Sequence, residues 1–182
     1  MTEEFPWYTQ VRGADLLQGD FIDACPILVP SSNFMVMTGA SPARPSIAWQ
    51  TLDVVVMTQS CDLEQDNVDL VLLCPHWPLA RLGEASDFFK STKGKEDLRR
   101  GNVPGYHLIA SCELPELERE LRVVDFRAVY SLPHSYLRHL ATERGNRVRL
   151  MPPYREHLSQ AFARFFMRVG LPVNIPPFRK GN

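Results

Sequence analysis

The 182-residue sequence lacks the motifs by which many enzymes hold phosphates, metals or nucleophiles. It has no GxGxxG, P-loop, HExxH or GxSxG pattern, so the mechanisms that depend on those motifs receive no support. No apolar run approaches the roughly 18 residues that a membrane-spanning helix needs. The N-terminus also lacks the basic start and the apolar core of a secretory signal. We therefore expect a protein without a membrane segment.

The sequence is also poor in cysteine, with four residues and no CxxC spacing: Cys25, Cys61, Cys74 and Cys112. Scattered cysteines of this kind are typical of a reduced, cytoplasmic protein rather than of a disulfide scaffold. Cys74 and His76 form a Cys-x-His pair on a predicted strand, where both side chains would point to the same face. Structural zinc sites usually show several closely spaced ligands. We therefore predict no metal site and no cofactor.

Basic residues are scarce in the first part of the chain and acidic residues are scarce in the last part, although the net charge is −1. Residues 1–118 carry 8 Lys+Arg against 17 Asp+Glu, whereas residues 119–182 carry 12 against 4. Two interpretations are open. The two parts neutralise each other inside one fold, or the basic part contacts an acidic partner such as nucleic acid. The basic excess is smaller than a dedicated DNA-binding domain needs, which favours the first interpretation.

The hydrophobic pattern predicts an α+β fold. The segments LDVVVMT and VDLVLLC are apolar on both faces, as central strands are, and their short polar connection predicts an antiparallel pair. HSYLRHLATERG predicts a short helix that ends at Gly145, and an apolar stripe at helical spacing follows Pro153. We expect a bent antiparallel sheet or a partly closed small β-barrel. Helices should pack on one side of it, and the last should be a long C-terminal amphipathic helix.

The length predicts a single domain over residues 1–182. Within it we expect a barrel-like part over about 14–133, a helical part over about 134–172 and an extended, proline-rich tail over 173–182. The C-terminal helix should supply much of the core through Leu158, Phe162, Phe165 and Val169.

The polar bend TQSCDLEQ, which follows the first central strand, is a candidate for a site. Thr58 and Asp62 can accept hydrogen bonds from backbone N–H groups, and our preferred interpretation is that this cluster closes the turn. A nucleophilic Cys61 would need a histidine base and an electropositive setting, whereas its neighbours Asp62 and Glu64 are acidic. We therefore expect Cys61 to pack as a small buried group. A cysteine-dependent hydrolase stays open as an alternative.

Eleven of the 12 basic residues after residue 118 are arginine. A guanidinium binds phosphate or carboxylate through a planar fork that lysine does not have. Tyrosines lie among these arginines and could stack on bases. The arginines that we predict to form a binding surface are Arg127, Arg147, Arg149, Arg164 and Arg168.

Residues 17–76 resemble the small SH3-like barrel of the MazF/PemK toxin family. The resemblance lies in Gly19 and Asp20 before the strand FIDACPI, in the Arg44-Pro45 pair of a loop, and in the strands VVVMTQ and VDLVLLCP. Members of that family cleave RNA with an arginine and a serine or threonine near strand ends. The resemblance therefore implies Arg44 and Thr58 as catalytic candidates, beside Cys61 and Asp62 of the bend. The aromatic C-terminal helix has no counterpart in that family and suggests a distinct bacterial family.

These observations predict a non-catalytic binding or accessory module whose arginine-rich C-terminal half contacts RNA, another nucleic acid or an acidic protein. Two alternatives stay open, namely a small endoribonuclease of the MazF/PemK type and a hydrolase centred on Cys61. A basic, aromatic concave face would favour either of the first two functions. A histidine within hydrogen-bond reach of Cys61 would favour the third.

Overall fold

The computed structural model of the protein describes residues 6–30 and 47–167. These residues form eight strands and six helices. The strands are β1 (Tyr8–Val11), β2 (Phe21–Pro30), β3 (Ile47–Val56), β4 (Leu70–Pro78), β5 (Tyr106–Ile109), β6 (Arg122–Asp125), β7 (Tyr130–Pro133) and β8 (Arg147–Leu150). The helices are α1 (Ser60–Glu64), α2 (Leu79–Ala85), α3 (Asp87–Lys90), α4 (Thr92–Arg99), α5 (His134–Arg144) and α6 (Tyr154–Phe166).

Strand β4 is the centre of the larger sheet and pairs antiparallel with three other strands. The first part of β4 pairs with β7, its middle pairs with β3, and its end pairs with β6. The strand order is β2-β3-β4-β6-β5, which leaves β5 as an edge strand among the described residues. The two segments that the sequence predicts as an antiparallel pair are therefore neighbours at the middle of this sheet.

Strands β1 and β8 form a separate two-stranded sheet, in which Tyr8 lies opposite Leu150. This small sheet meets the larger one at Gly19 and Asp20. The N–H of Leu150 donates to the carbonyl of Gly19 at 2.9 Å, and Asp20 forms a β-bridge with Arg149. Gly19 has a φ of +86°, and a Cβ at this position would lie 3.0 Å from the Cβ of Leu150. The close approach of the two sheets therefore requires glycine here.

The middle of the larger sheet is buried on both faces. On β3, Val54 points to the face that α5 covers with Leu137, and Val55 points to the face that α6 covers with Leu158. All four side chains are completely buried. Successive side chains of a strand point to opposite faces, so a strand that is apolar at every position needs cover on both sides.

Helices α2, α3 and α4 form a third and smaller apolar cluster against β6. Its buried members are Leu82, Phe89, Leu98 and Val123. Gly94 lies in the first turn of α4, where a Cβ would stand 2.0 Å from the carbonyl oxygen of Phe88. The tight junction between α3 and α4 therefore depends on this glycine.

The predicted α+β class with antiparallel sheets is confirmed, and the described residues form no closed barrel. The helices differ from the prediction because they cover both faces of the sheet instead of one side. Helix α5 ends before Gly145 as predicted. Helix α6 is the C-terminal amphipathic helix, with Leu158 buried and Phe162 half-buried. Val169, Arg168 and the tail lie outside the described residues, and the division into one domain stays a prediction.

Candidate functional site

The bend between β3 and β4 closes around Thr58. This residue is buried, and its hydroxyl accepts a hydrogen bond from the N–H of Leu72 at 2.7 Å. The hydroxyl of Ser60 accepts one from the N–H of Gln18 at 3.2 Å. The Thr58 hydroxyl therefore holds β4 against the end of β3, which is the structural role that we prefer for this cluster. Arg44, the other residue that the MazF/PemK resemblance implies, lies outside the described residues.

Cys61 is exposed, so the expectation that it packs as a small buried group is wrong. The reason is that α1 is barely more than one turn long and buries only Leu63. The thiol borders a polar cleft of about 290 Å³ between the bend and α6. Its hydrogen-bond partner is Asp62, with 3.9 Å between Sγ and Oδ1. No histidine lines this cleft, so the geometry of the described residues gives the thiol no histidine base.

Cys74 and His76 lie side by side on β4, and both are fully buried. Nδ1 of His76 accepts a hydrogen bond from Nε of Arg122 at 2.6 Å, so this nitrogen has no lone pair left for a metal. Burial lowers the pKa of His76 well below its ordinary value, and the charges of Arg122 and Arg119 lower it further. Burial raises the pKa of Cys74 to about 12. Among the described residues, no cluster of His, Cys, Asp and Glu side chains could hold a metal ion.

Asp20 binds two of the predicted surface arginines in the interior of the protein. Its carboxylate is completely buried, accepts a hydrogen bond from Nε of Arg147 at 2.8 Å, and also pairs with Arg149. The other two nitrogens of the Arg147 guanidinium donate to the carbonyls of Gly13 and Asp15 at 2.8 and 2.6 Å. Arg147 is 5% exposed, so its guanidinium contributes to the fold and does not reach the surface.

Three further arginines of the basic part also pair with the acidic part of the chain. Arg119 lies 3.0 Å from Asp23, and Arg122 lies 2.7 Å from Asp53. Arg138 approaches two carboxylates, at 4.0 Å and 3.8 Å. The intramolecular interpretation of the charge split thus accounts for Arg119, Arg122, Arg138, Arg147 and Arg149.

Two of the predicted binding residues, Arg127 and Arg164, remain at the surface. Arg164 is exposed on α6 and makes no hydrogen bond or ion pair with any residue that the structure describes. Arg127 has a side chain that is 56% exposed and pairs with Asp125 at 2.7 Å. Its guanidinium lies over the ring of Tyr106, at 4.3 Å from the ring centre. Arg168 lies outside the described residues.

Arg164 borders a cleft of about 440 Å³ between α6, the end of α4 and the edge strand β5, which we call the basic cleft. Its charged, titratable and aromatic lining residues are Arg99, Arg100, Tyr106, His107, His157 and Arg164. His157, Gln160 and Arg164 are spaced three to four residues apart, which places them on one stripe of α6. Because β5 is an edge strand, side chains from both of its faces border the cleft.

Positive charge dominates the basic cleft. No carboxylate lines it, whereas three other clefts on the described part of the chain each contain at least one. Glu96, next to the cleft, pairs with Arg99 at 2.7 Å and with Arg100 at 2.6 Å. These three residues therefore keep one net positive charge, and Arg164 adds a second. Both are exposed to an approaching anion.

The sequence predicts Arg164 and Arg127 at a binding surface, and the structure places both at or beside the basic cleft. Arg99 and Arg100, which belong to the acidic part of the chain, are not predicted from the sequence. Two arginines at a helix end before a glycine, as in LRRG, are typical of the favourable placement of cations at a helix C-terminus. That pattern does not indicate that a second helix, α6, lies opposite Arg99 and Arg100.

No helix among the described residues is long and apolar enough to cross a membrane. Comparisons of the chain with protein-family models, with curated proteins and with solved structures find no match.

Proposed function

We propose that the protein is a nucleic-acid-binding module that takes single-stranded RNA into the basic cleft. One observation carries this proposal. Three arginines, Arg99, Arg100 and Arg164, line a space of about 440 Å³ that has no carboxylate in its lining. Arg164 has no ion-pair partner among the described residues, and Arg99 and Arg100 share the single carboxylate of Glu96. Two net positive charges are therefore available to neutralise phosphates, and the release of counterions then favours binding.

The aromatic content of the cleft favours a single strand over a duplex. Proteins recognise single-stranded RNA in clefts where unstacked bases contact aromatic side chains. Tyr106 lines the cleft and carries the guanidinium of Arg127 on its ring. Backbone-tracking cations beside an aromatic ring are the combination that sequence-tolerant single-strand binding uses.

The proposed partner, a nucleic acid, is the one predicted from the sequence, but the arginines that contact it are partly different. Arg147 and Arg149 are occupied by Asp20, so they are not part of the proposed site. Arg164 and Arg127 stay in it, and Arg99 and Arg100 join them. An acidic protein remains the alternative partner, because guanidinium groups also bind carboxylates. A cytoplasmic location and the MazF/PemK resemblance stay predictions.

The test is a titration at low salt that compares a fluorescent single-stranded RNA with a fluorescent poly-glutamate of similar charge. Anisotropy measures both. We expect the RNA to bind more tightly, because only RNA offers bases to the aromatic part of the cleft. Equal affinity for the two polyanions would favour an acidic protein partner. No binding of the RNA at low salt would contradict the proposal.

A further inference from the structure

The five histidines of the chain divide into two groups by their side-chain partners. Three are engaged: His76 accepts a hydrogen bond from Arg122, His134 lies 3.1 Å from Asp66, and His139 lies 3.3 Å from Glu143. The other two, His107 and His157, make no side-chain hydrogen bond or ion pair with any described residue. Both of these line the basic cleft.

His107 lies on β5 and His157 lies on α6, so the two imidazoles reach the cleft from different elements. His107 is half-buried, with its ring 6.2 Å from that of Phe126 and its backbone opposite Val124. Burial, together with a smaller contribution from the charge of His157, lowers the pKa of His107 to about 4. Both imidazoles line the same cleft of about 440 Å³. His157 is exposed.

We infer that His107 and His157 act as general base and general acid in the cleavage of single-stranded RNA bound in the basic cleft. This inference rests on the proposed function, because the substrate must first bind there. RNA is the substrate class because it carries its own nucleophile, the ribose 2′-hydroxyl, next to the phosphorus atom. Two groups that only move protons are sufficient for this reaction.

The step balances without any co-reactant. The neutral imidazole of His107 accepts the proton of the 2′-hydroxyl while the 2′-oxygen forms a bond to phosphorus. The bond from phosphorus to the 5′-oxygen breaks, and protonated His157 donates its proton to that leaving oxygen. The products are a 2′,3′-cyclic phosphate on one fragment and a 5′-hydroxyl on the other.

The lining of the cleft fits these roles. At neutral pH the lowered pKa keeps His107 in the neutral form that a base requires. A bound phosphate adds negative charge beside the ring, which raises the basicity of the imidazole where the substrate lies. Arg164 is available to stabilise the charge that develops on the phosphate oxygens.

The experiment uses the full-length protein, EDTA in every reaction, and two oligonucleotides of one sequence. The first is DNA with a single ribonucleotide, so cleavage at that residue reports the 2′-hydroxyl as nucleophile. The second is fully 2′-O-methylated RNA, which cannot react and reports binding alone. His157→Ala tests the exposed histidine, His107→Gln tests the half-buried one, and His139→Ala on α5 is the matched control.

We expect cleavage at the ribonucleotide with a cyclic phosphate product, detected by mass spectrometry. His157→Ala should lower the rate by about 100-fold or more while affinity for the methylated RNA changes by no more than about twofold. His139→Ala should cleave at the wild-type rate. The urea unfolding midpoint of His107→Gln shows whether its loss of activity reflects unfolding. If that variant is unfolded, the cleavage rate of His157→Ala tests the inference by itself.

Two outcomes would overturn the inference and leave the proposed function in place. One is that the DNA with the single ribonucleotide binds and stays intact. The other is cleavage that proceeds at the wild-type rate in His157→Ala. If neither oligonucleotide binds at low salt, the proposed function fails and the cleavage mechanism fails with it.

Discussion

The carboxylate of Asp20 and the guanidinium of Arg147 form an ion pair that is closed to solvent, with 2.8 Å between Oδ2 and Nε. The two residues are far apart in sequence and come from the acidic and the basic parts of the chain. Their pairing shows that charges of the acidic and basic parts of the chain neutralise each other inside the fold. The small sheet of β1 and β8 attaches to the larger sheet at this point, so the charges join the two sheets.

Removal of the Asp20 carboxylate should destabilise the protein strongly. Asp20→Ala leaves Arg147 and Arg149 without their shared anion, one of them buried, and a broken buried pair costs about 3–5 kcal/mol of unfolding free energy. Asp87→Ala is the control, because its ion pair with Lys90 is exposed and contributes about 1 kcal/mol or less. Urea unfolding measures both variants. Similar losses for the two would contradict a structural role for Asp20.

The C-terminal helix should contribute to the core through Leu158. This side chain has no exposed surface, and Leu158→Ala should lower the unfolding free energy by about 2–5 kcal/mol. Gln160→Ala, an exposed position two residues further along the same helix, should change it by about 0.5 kcal/mol or less. An unchanged midpoint for Leu158→Ala would mean that α6 does not pack on the sheet.

One thiol of the native protein should react quickly with a thiol-specific disulfide reagent. Cys61 is exposed, whereas Cys25, Cys74 and Cys112 are buried. Burial raises the pKa of Cys25 to about 11 and that of Cys74 to about 12, which removes the reactive thiolate at neutral pH. Cys61→Ser should abolish the fast phase. Rapid reaction of two or more thiols in the folded protein would contradict the burial of Cys25, Cys74 and Cys112.

Stability should fall as the pH decreases from 7 to 5. His76 and His107 have folded-state pKa values below their unfolded value of about 6.5. Below that value the unfolded chain takes up protons that the folded protein does not bind, so each histidine costs up to about 2 kcal/mol by pH 5.

His107→Gln should make this pH dependence less steep, and the exposed His139→Gln should leave it unchanged. Urea unfolding at several pH values measures the slope. The same slope in the wild type and in a folded His107→Gln variant would show that His107 protonates as easily in the folded protein as in the unfolded chain.

The central elements of the fold are predictable from the sequence because their signals are local. Strands β3 and β4 are apolar on both faces, and Gly145 marks the end of α5. Strand β1 is not predictable in the same way, since it has four residues and its partner β8 lies at the other end of the described chain. The burial of Arg147 is not predictable either, because its partner Asp20 is also distant in sequence. The alternation of polar and apolar residues along β8 places Arg147 and Val148 on opposite faces. It does not show that Asp20 lies against Arg147.

The basic cleft is beyond the reach of local patterns because α6 lies far along the chain from α4 and β5. Arg99, His107 and His157 meet only when α6 packs across the sheet. The sequence does indicate that arginine and tyrosine are the side chains to examine, and Arg164 is in both the predicted and the observed surface. The sequence does not show which of the other arginines lack an ion-pair partner, because that depends on which carboxylates the fold brings near them.

The most direct test of the account is the salt dependence of RNA binding by the wild type and by Arg164→Glu. If the two net positive charges of the cleft neutralise phosphates, affinity should fall about sevenfold between about 50 and about 200 mM salt. Arg164→Glu should weaken binding at low salt and flatten this dependence, because one phosphate contact is lost. Arg144→Glu, the same charge change at an exposed position on α5, should match the wild type. Equal salt dependence in Arg164→Glu and the wild type would contradict binding in the basic cleft.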